Sequence, residues 1–189
     1  VKIIFINGPP RSGKDTAGEI LAEATGGELF KFAEPLKLMA HRLVSAFAPH
    51  AIPERAEHAA DFFEDVKDEP QPYLFGKTWR QYYIAVSETL IKPLHGDDFF
   101  GKVLATDIAN LSTGTAIITD SGFMVETPPI VERFGAENCL LLRMRRTGCN
   151  FSSDSREYLE LPGVVTIDVY NDRGVDELRS LLLNHTFVN

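Results

Sequence analysis

The stretch Gly8-Pro9-Pro10-Arg11-Ser12-Gly13-Lys14-Asp15-Thr16 stands between an apolar run, Val1 to Ile6, and a segment of helical pattern. Gly8 and Gly13 permit backbone angles closed to other residues, so successive amides can turn inward around anionic oxygens. The positive end of the following helix favours the same anions. Lys14 comes directly after Gly13, where an ammonium reaches the outer phosphates of a nucleotide. Strand, glycine loop and helix in that order read as a phosphate-binding loop, and imply a nucleoside triphosphate ligand.

Working outward, further apolar runs rich in branched residues follow at Leu29-Ala33, Thr115-Thr119, Cys139-Met144 and Val164-Val169, with helical patterns between them. Alternation of this kind predicts an α/β fold: a parallel five-stranded sheet with helices on both faces. Ligands in such sheets sit beyond the carboxyl ends of the strands. Candidate site residues are therefore the loop itself, Glu34, Asp120, Arg145, Arg146 and Asn171. Between the second and third runs, Thr78 and Gln81 have the spacing of a capping box. Trp79, Tyr82, Val86 and Leu90 repeat at helical intervals as a core-facing stripe, and a second helix is expected from Asp97 through Leu111.

With 189 residues, 44% of them hydrophobic, the chain can bury one substantial core, so a single domain over residues 1–189 with a mobile insertion is expected. A formal charge of -8 argues against a generally basic nucleic-acid binder, though not against a local basic groove. Cys139 and Cys149 lack a metal-ligand spacing, and Cys139 opens an apolar run, which predicts a buried, inert thiol. No secretory leader pattern or apolar run of about 18 residues occurs, so a soluble cytoplasmic protein without membrane contact is expected. The segment from Glu54 to Glu69 carries seven acids against two bases. It reads either as a solvated helix face and loop or as part of an acceptor flap over about 49–77.

Phosphoryl transfer needs positioning and charge neutralisation more than covalent chemistry. Asp120 ends the run Ala116-Ile117-Ile118-Thr119, where an acid either meets magnesium through water or caps the next helix. Asp15 stands where the loop pattern ordinarily has Ser or Thr, and Thr16 comes one later. Either Asp15 binds Mg2+, directly or through water, or Thr16 holds the metal with Asp15 behind it. Arg143, Arg145 and Arg146 end another strand and open a polar stretch with Asp154 and Arg156. That stretch predicts a lid over about 146–162 that carries arginines to developing phosphate charge, or else simple solvated strand ends. Arg143, alternating with apolar neighbours, is a candidate structural residue. No Asn-Lys-x-Asp segment reads guanine, and Ser121 rather than Glu follows Asp120, which favours an ATP-dependent kinase over a GTPase or mechanical ATPase. An alcohol acceptor makes a base useful, and Glu34 is placed for that task or for capping the helix that begins near Pro35.

Gly8 to Thr16, Phe32-Ala33-Glu34-Pro35-Leu36-Lys37, the strand ending at Asp120, and Asn171-Asp172 before Val175-Asp176-Glu177-Leu178 together resemble the phage deoxynucleoside monophosphate kinases. The resemblance implies a nucleoside-kinase-like fold of five parallel strands, with Gly8, Pro9, Pro10, Arg11, Ser12, Gly13, Lys14, Asp15 and Thr16 binding ATP and magnesium. It also implies Asn171 near the adenine and Arg145-Arg146 in the lid. Those kinases usually carry an arginine two residues beyond the strand's Asp, and here that position is Gly122. With Glu34 as a base, the departure makes the chain most similar to the 5-hydroxymethyluracil DNA kinases, which phosphorylate the base hydroxymethyl group in phage DNA during thymidine hypermodification. That resemblance implies work in the infected host's cytoplasm. The alternatives are a deoxynucleoside monophosphate kinase and a noncatalytic ATP-binding regulator. A DNA acceptor would meet local cations such as Lys77, Arg80, Lys92 and Lys102, and stack on Trp79, Tyr82, Tyr83 or Phe123.

Overall fold

The computed structural model describes residues 1–51, 66–111, 114–152 and 154–184. Most of the acidic segment, and with it much of the expected flap, lies outside the described residues. The chain divides into two compact units, one formed by Val1–Phe32 with Phe100–Asn189 and the other by Ala33–Phe99.

In the first unit, five apolar runs become β1 (Lys2–Asn7), β2 (Glu28–Phe30), β3 (Thr115–Ser121), β4 (Cys139–Arg145) and β5 (Val165–Tyr170). All pair in parallel in the order β2-β3-β1-β4-β5. β1 and β4 are buried almost throughout because both faces are covered, which is why they read as continuous apolar runs rather than as alternation. One face packs Ile3, Phe5, Ile118 and Leu141 with Leu104 and Ile108. The other packs Ile4, Ile6, Ile117 and Leu142 with Ile20, Leu21 and Leu178. Those last three lie on α1 (Lys14–Thr25) and on the C-terminal helix Val175–Asn184. Since β1 is central, with β3 on one side and β4 on the other, the loop that leaves it opens into the crevice between diverging connections.

β2 is shorter than its apolar run because the Phe32 amide donates to Asp120 Oδ1 at 2.8 Å, which takes it out of the sheet ladder. Cys139 is buried and donates to Gly135 O at 3.2 Å. Burial, with Glu137 nearby, pushes its thiol up to about 11, in keeping with an inert role.

The second unit holds α2 (Ala33–Phe47), α3 (Trp79–Ala85), a π-helical turn over Val86–Ile91 and the short α4 (Lys92–His95). Thr78 and Gln81 form the expected capping box, with Gln81 N on Thr78 Oγ1 at 3.2 Å and Thr78 N on Gln81 Oε1 at 3.0 Å. Trp79 is fully buried among Val44, Ala48 and Leu74, with Tyr82 and Tyr83 packed against it. The expected stripe holds through Val86 and then fails. Leu90 is 41% exposed and Ile91 is buried in its stead. The π turn adds one residue per turn and so rotates the inward face by one position. Pro93 explains its place, because a proline crowds the carbonyl four residues back and lacks an N–H, so the turn before it widens. Among the described residues no helix is long and apolar enough to cross a membrane.

Candidate functional site

The loop from Gly8 to Gly13 is held in a cradle conformation. Arg11 and Gly13 both adopt left-handed backbone angles, at φ 65° and 96°. A β-carbon on Gly13 would lie 2.3 Å from Nδ2 of Asn171, and one on Gly8 would lie 2.9 Å from the Met144 carbonyl oxygen, so neither position admits a side chain. α1 begins at Lys14, and the amides of its first turn have no acceptor within the helix.

Lys14 is buried and donates to Pro9 O at 2.9 Å. Burial lowers its proton affinity, the nearby Arg156 lowers it further, and Asp15, Asp154 and Asp120 partly compensate. A desolvated ammonium whose acceptor is a neutral carbonyl gains from an anion. Ser12 Oγ is buried without a partner, a second polar group in the same loop that a ligand oxygen would satisfy. Both observations fit the phosphates of a nucleotide.

Asp15 is joined to Lys31 at 3.0 Å and accepts from Thr119 Oγ1 at 3.4 Å. That brings it to the end of β3, one residue from Asp120. Among the described residues no cluster of three or more His, Cys, Asp or Glu forms a metal cage. Magnesium needs none, since it takes one or two carboxylates together with substrate phosphates and water. Asp15, Thr16 and Asp120 are the residues that would hold it.

Asn171, which the resemblance places near the adenine, is buried. Its Nδ2 donates to Ser12 O at 2.9 Å and its backbone N to Arg145 O at 2.8 Å, so it ties the loop to the end of β4. Arg145, grouped with the lid by the resemblance, stands at the strand end as its apolar run predicted. It ends β4, donates to Asp168 Oδ1 at 3.1 Å and stacks 3.6 Å over the Tyr158 ring. Arg143 donates to the same carboxylate at 2.8 Å, the structural role its alternation predicted. Burial pushes the Asp168 carboxyl up, but the two guanidiniums outweigh it and hold it below the usual carboxylate range. Arg146 reaches the loop itself, donating to Arg11 O at 3.2 Å.

The expected lid also divides. Leu159 and Leu161 are buried in the core, so the stretch outside the core ends near Arg156. Asn7 fixes that boundary. It is fully buried at the end of β1, donates to Ser121 O at 2.8 Å and Glu157 O at 2.9 Å, and accepts from Leu159 N at 3.1 Å. Sequence reasoning passed over it, although an amide directly after an apolar strand and before Gly8 was a signal, since a buried polar side chain must be hydrogen-bonded. Beside the loop, Arg145, Arg146, Cys149, Phe151, Tyr158 and Tyr170 line a cavity of about 340 Å³.

The DNA-facing group is corrected in part. Trp79 is the centre of a core and cannot stack on a base, Arg80 is paired with Asp68 at 2.6 Å, and Lys92 with Glu88 at 2.6 Å.

No protein-family model matches the chain, and no curated protein does. An unliganded crystal structure of a sugar kinase from Janibacter sp. HTCC2649 covers 97% of this chain and 93% of its own, at 15% identity and a TM-score of 0.47. At that TM-score the likeness carries no argument about substrate or residue roles.

Proposed function

We propose that the chain is an ATP-dependent phosphotransferase of the P-loop kinase type acting on a nucleotide-type acceptor. The observation that carries the reading is Lys14, a buried ammonium turned onto the Pro9 carbonyl within a left-handed loop at a helix N-terminus. The loop amides and Lys14 bind the β- and γ-phosphates, and Asp15, Thr16 and Asp120 organise Mg2+, which supplies charge neutralisation when bound. The cavity beside Arg146 and Tyr158 has room for the adenine.

The preferred acceptor is the hydroxymethyl group of 5-hydroxymethyluracil in DNA. Its oxygen forms a bond to the γ-phosphorus as the bond to the β,γ-bridging oxygen breaks, ADP leaves, and the hydroxyl proton passes to a base. Glu34 is assigned that role. It lies two residues beyond the Phe32 amide that is bonded to Asp120, in the first turn of α2. Gly122 supports an acceptor without a phosphate of its own, since no side chain reaches out from that position.

One observation favours the second reading, a deoxynucleoside monophosphate kinase. The methylenes of Arg156 lie directly on Gly122, where a β-carbon would fall 2.3 Å from Arg156 Cδ, so an arginine borne by another segment occupies that space.

Incubation with Mg2+ and γ-labelled ATP, offering hydroxymethyluracil DNA beside deoxynucleoside monophosphates, separates the readings. Label in DNA supports the alcohol kinase, and label in free diphosphates supports the second reading. ATP binding with no acceptor-dependent ADP would leave a regulator. Lys14→Ala should abolish transfer without unfolding the chain, and retained turnover refutes the site.

A further inference from the structure

Asp15 and Asp120, the two carboxylates assigned to Mg2+, are bonded to consecutive residues of one short connection. Lys31 Nζ meets Asp15 Oδ1 at 3.0 Å, and the Phe32 amide donates to Asp120 Oδ1 at 2.8 Å. The two ties differ in kind. The first joins exposed side chains, whereas the second grips the backbone of a residue whose ring is buried in the core with Ile118. In the β2–β3 register Phe30 stands opposite Ile118, so two residues further on Phe32 is level with Asp120. The amide that a longer ladder would give to a β3 carbonyl is given instead to a side chain at the same level. Directly after it the chain passes from the first unit into the second, where α2 begins at Ala33 and carries Glu34 in its first turn.

We infer that Asp120 is a positioning residue for the acceptor base: by fixing the Phe32 backbone it sets where α2 starts, and so makes the place of Glu34 depend on the carboxylate that also serves the metal. The inference rests on the alcohol-kinase reading above, in which Glu34 takes the hydroxyl proton. A carboxylate has acceptor sites enough for an amide and a metal-bound water together, so both duties fit one side chain. The Phe32 ring is locked in the core and its amide on the carboxylate, and only Ala33 separates this anchor from Glu34. Displacing a reacting group by about 1 Å can cost about 100-fold in rate, so an anchor at this point governs transfer without touching the acceptor.

The test replaces the Phe32 amide by an ester, Phe32→phenyllactic acid, which removes the N–H and keeps the ring. With Mg2+, γ-labelled ATP and hydroxymethyluracil DNA, kcat should fall about 10–100-fold while MgATP affinity stays within about 3-fold of wild type. The ester should cost less than about 3-fold once Glu34→Gln is present, because both changes act on one proton transfer. Amide exchange at Phe32, read without nucleotide, should be slow in wild type and in Asp120→Asn and at least about 10-fold faster in Asp120→Ala, which leaves the amide no acceptor. An undiminished kcat in the ester chain, equal loss of MgATP binding and transfer, additive losses with Glu34→Gln, or equal exchange in Asp120→Ala and wild type would overturn the inference. If the ester chain does not fold, Asp120→Asn should transfer at least about 10-fold faster than Asp120→Ala at saturating Mg2+, and equal rates overturn the inference. A wild-type chain that labels only free diphosphates, or no acceptor, overturns the alcohol-kinase reading instead, and this inference with it.

Discussion

Replacing Asn7 with alanine should cost more stability than removing any surface charge on this chain. The side chain is fully buried and makes three hydrogen bonds, to Ser121 O, Glu157 O and Leu159 N, so truncation leaves two carbonyls and one amide facing a small cavity. A buried group left without its partner costs about 1–3 kcal/mol, and water admitted to the cavity recovers part of that for the carbonyls, giving about 3–5 kcal/mol in all. For a chain of this size each kcal/mol moves the midpoint by about 2–4 °C, so a drop of about 6–20 °C is expected. Asn7→Asp should be no better, because it keeps the acceptor for Leu159 N but turns a charge toward two carbonyls. Differential scanning calorimetry measures the midpoint, and amide hydrogen exchange at Leu159 reads the local bond. A midpoint within about 2 °C of wild type, or an unchanged Leu159 exchange rate, would refute the clip.

Trp79→Ala empties the centre of the second unit's core and should cost about 3–5 kcal/mol, seen as a lower denaturation midpoint. A loss below about 1 kcal/mol would show that the tryptophan is not packed as described. His41 is bonded to Tyr83 Oη at 2.7 Å, and its pKa is lowered to about 4, by burial first and Lys37 second. The unfolded chain therefore takes up a proton near pH 6.5 that the folded chain refuses until about pH 4. The stability tied to neutral His41 is complete above pH 6.5 and is lost as the pH falls toward 4. The shift sets a ceiling of about 3 kcal/mol, which partial solvent access reduces to about 1–2. Stability measured from pH 7 to 4 should fall more in wild type than in His41→Gln, and parallel curves would remove His41 as the cause.

The first unit was legible because its signals were local. Each strand is a short branched run, and the loop after β1 is a fixed spacing of glycines before a lysine, so neither needed knowledge of distant partners. Strand ends were less legible. β2 stops early because its next amide finds the Asp120 carboxylate, a contact 88 residues away in sequence. The helical stripe was read correctly through Val86 and wrongly at Leu90, because a π turn changes the period and Pro93 lies beyond the window in which the period was counted. Arginines were the hardest to assign. The alternation of Arg143 with apolar neighbours predicted its structural role but not its partner, Asp168 of a neighbouring strand, which it shares with Arg145, and Arg156 lies on Gly122; partners of this kind depend on strand order and leave no trace in spacing.

The departure at Asp15 has a physical consequence for the proposed metal site. A carboxylate beside the phosphates would repel them, yet here its charge is met by Lys31 at 3.0 Å, so the loop keeps the net positive character that Lys14 gives it. The pair is about half to two-thirds exposed, and exposed ion pairs contribute little, about 0–1 kcal/mol. On the proposed reading, a divalent cation arriving with the nucleotide would displace Lys31 at small cost, whereas a buried pair would resist it. The Thr119 hydroxyl, 3.4 Å from Asp15 Oδ1, aims the carboxylate toward the end of β3, where Asp120 lies. On the proposed reading, Asp15 thus does with a carboxylate what a hydroxyl does in the usual loop, and Lys31 is the counter-ion that makes the substitution tolerable when no metal is bound. Lys31→Ala should accordingly leave MgATP affinity nearly unchanged while raising metal affinity at the loop, read as a lower Mg2+ concentration for half-maximal nucleotide binding. A higher Mg2+ requirement would mean that Lys31 itself touches the nucleotide.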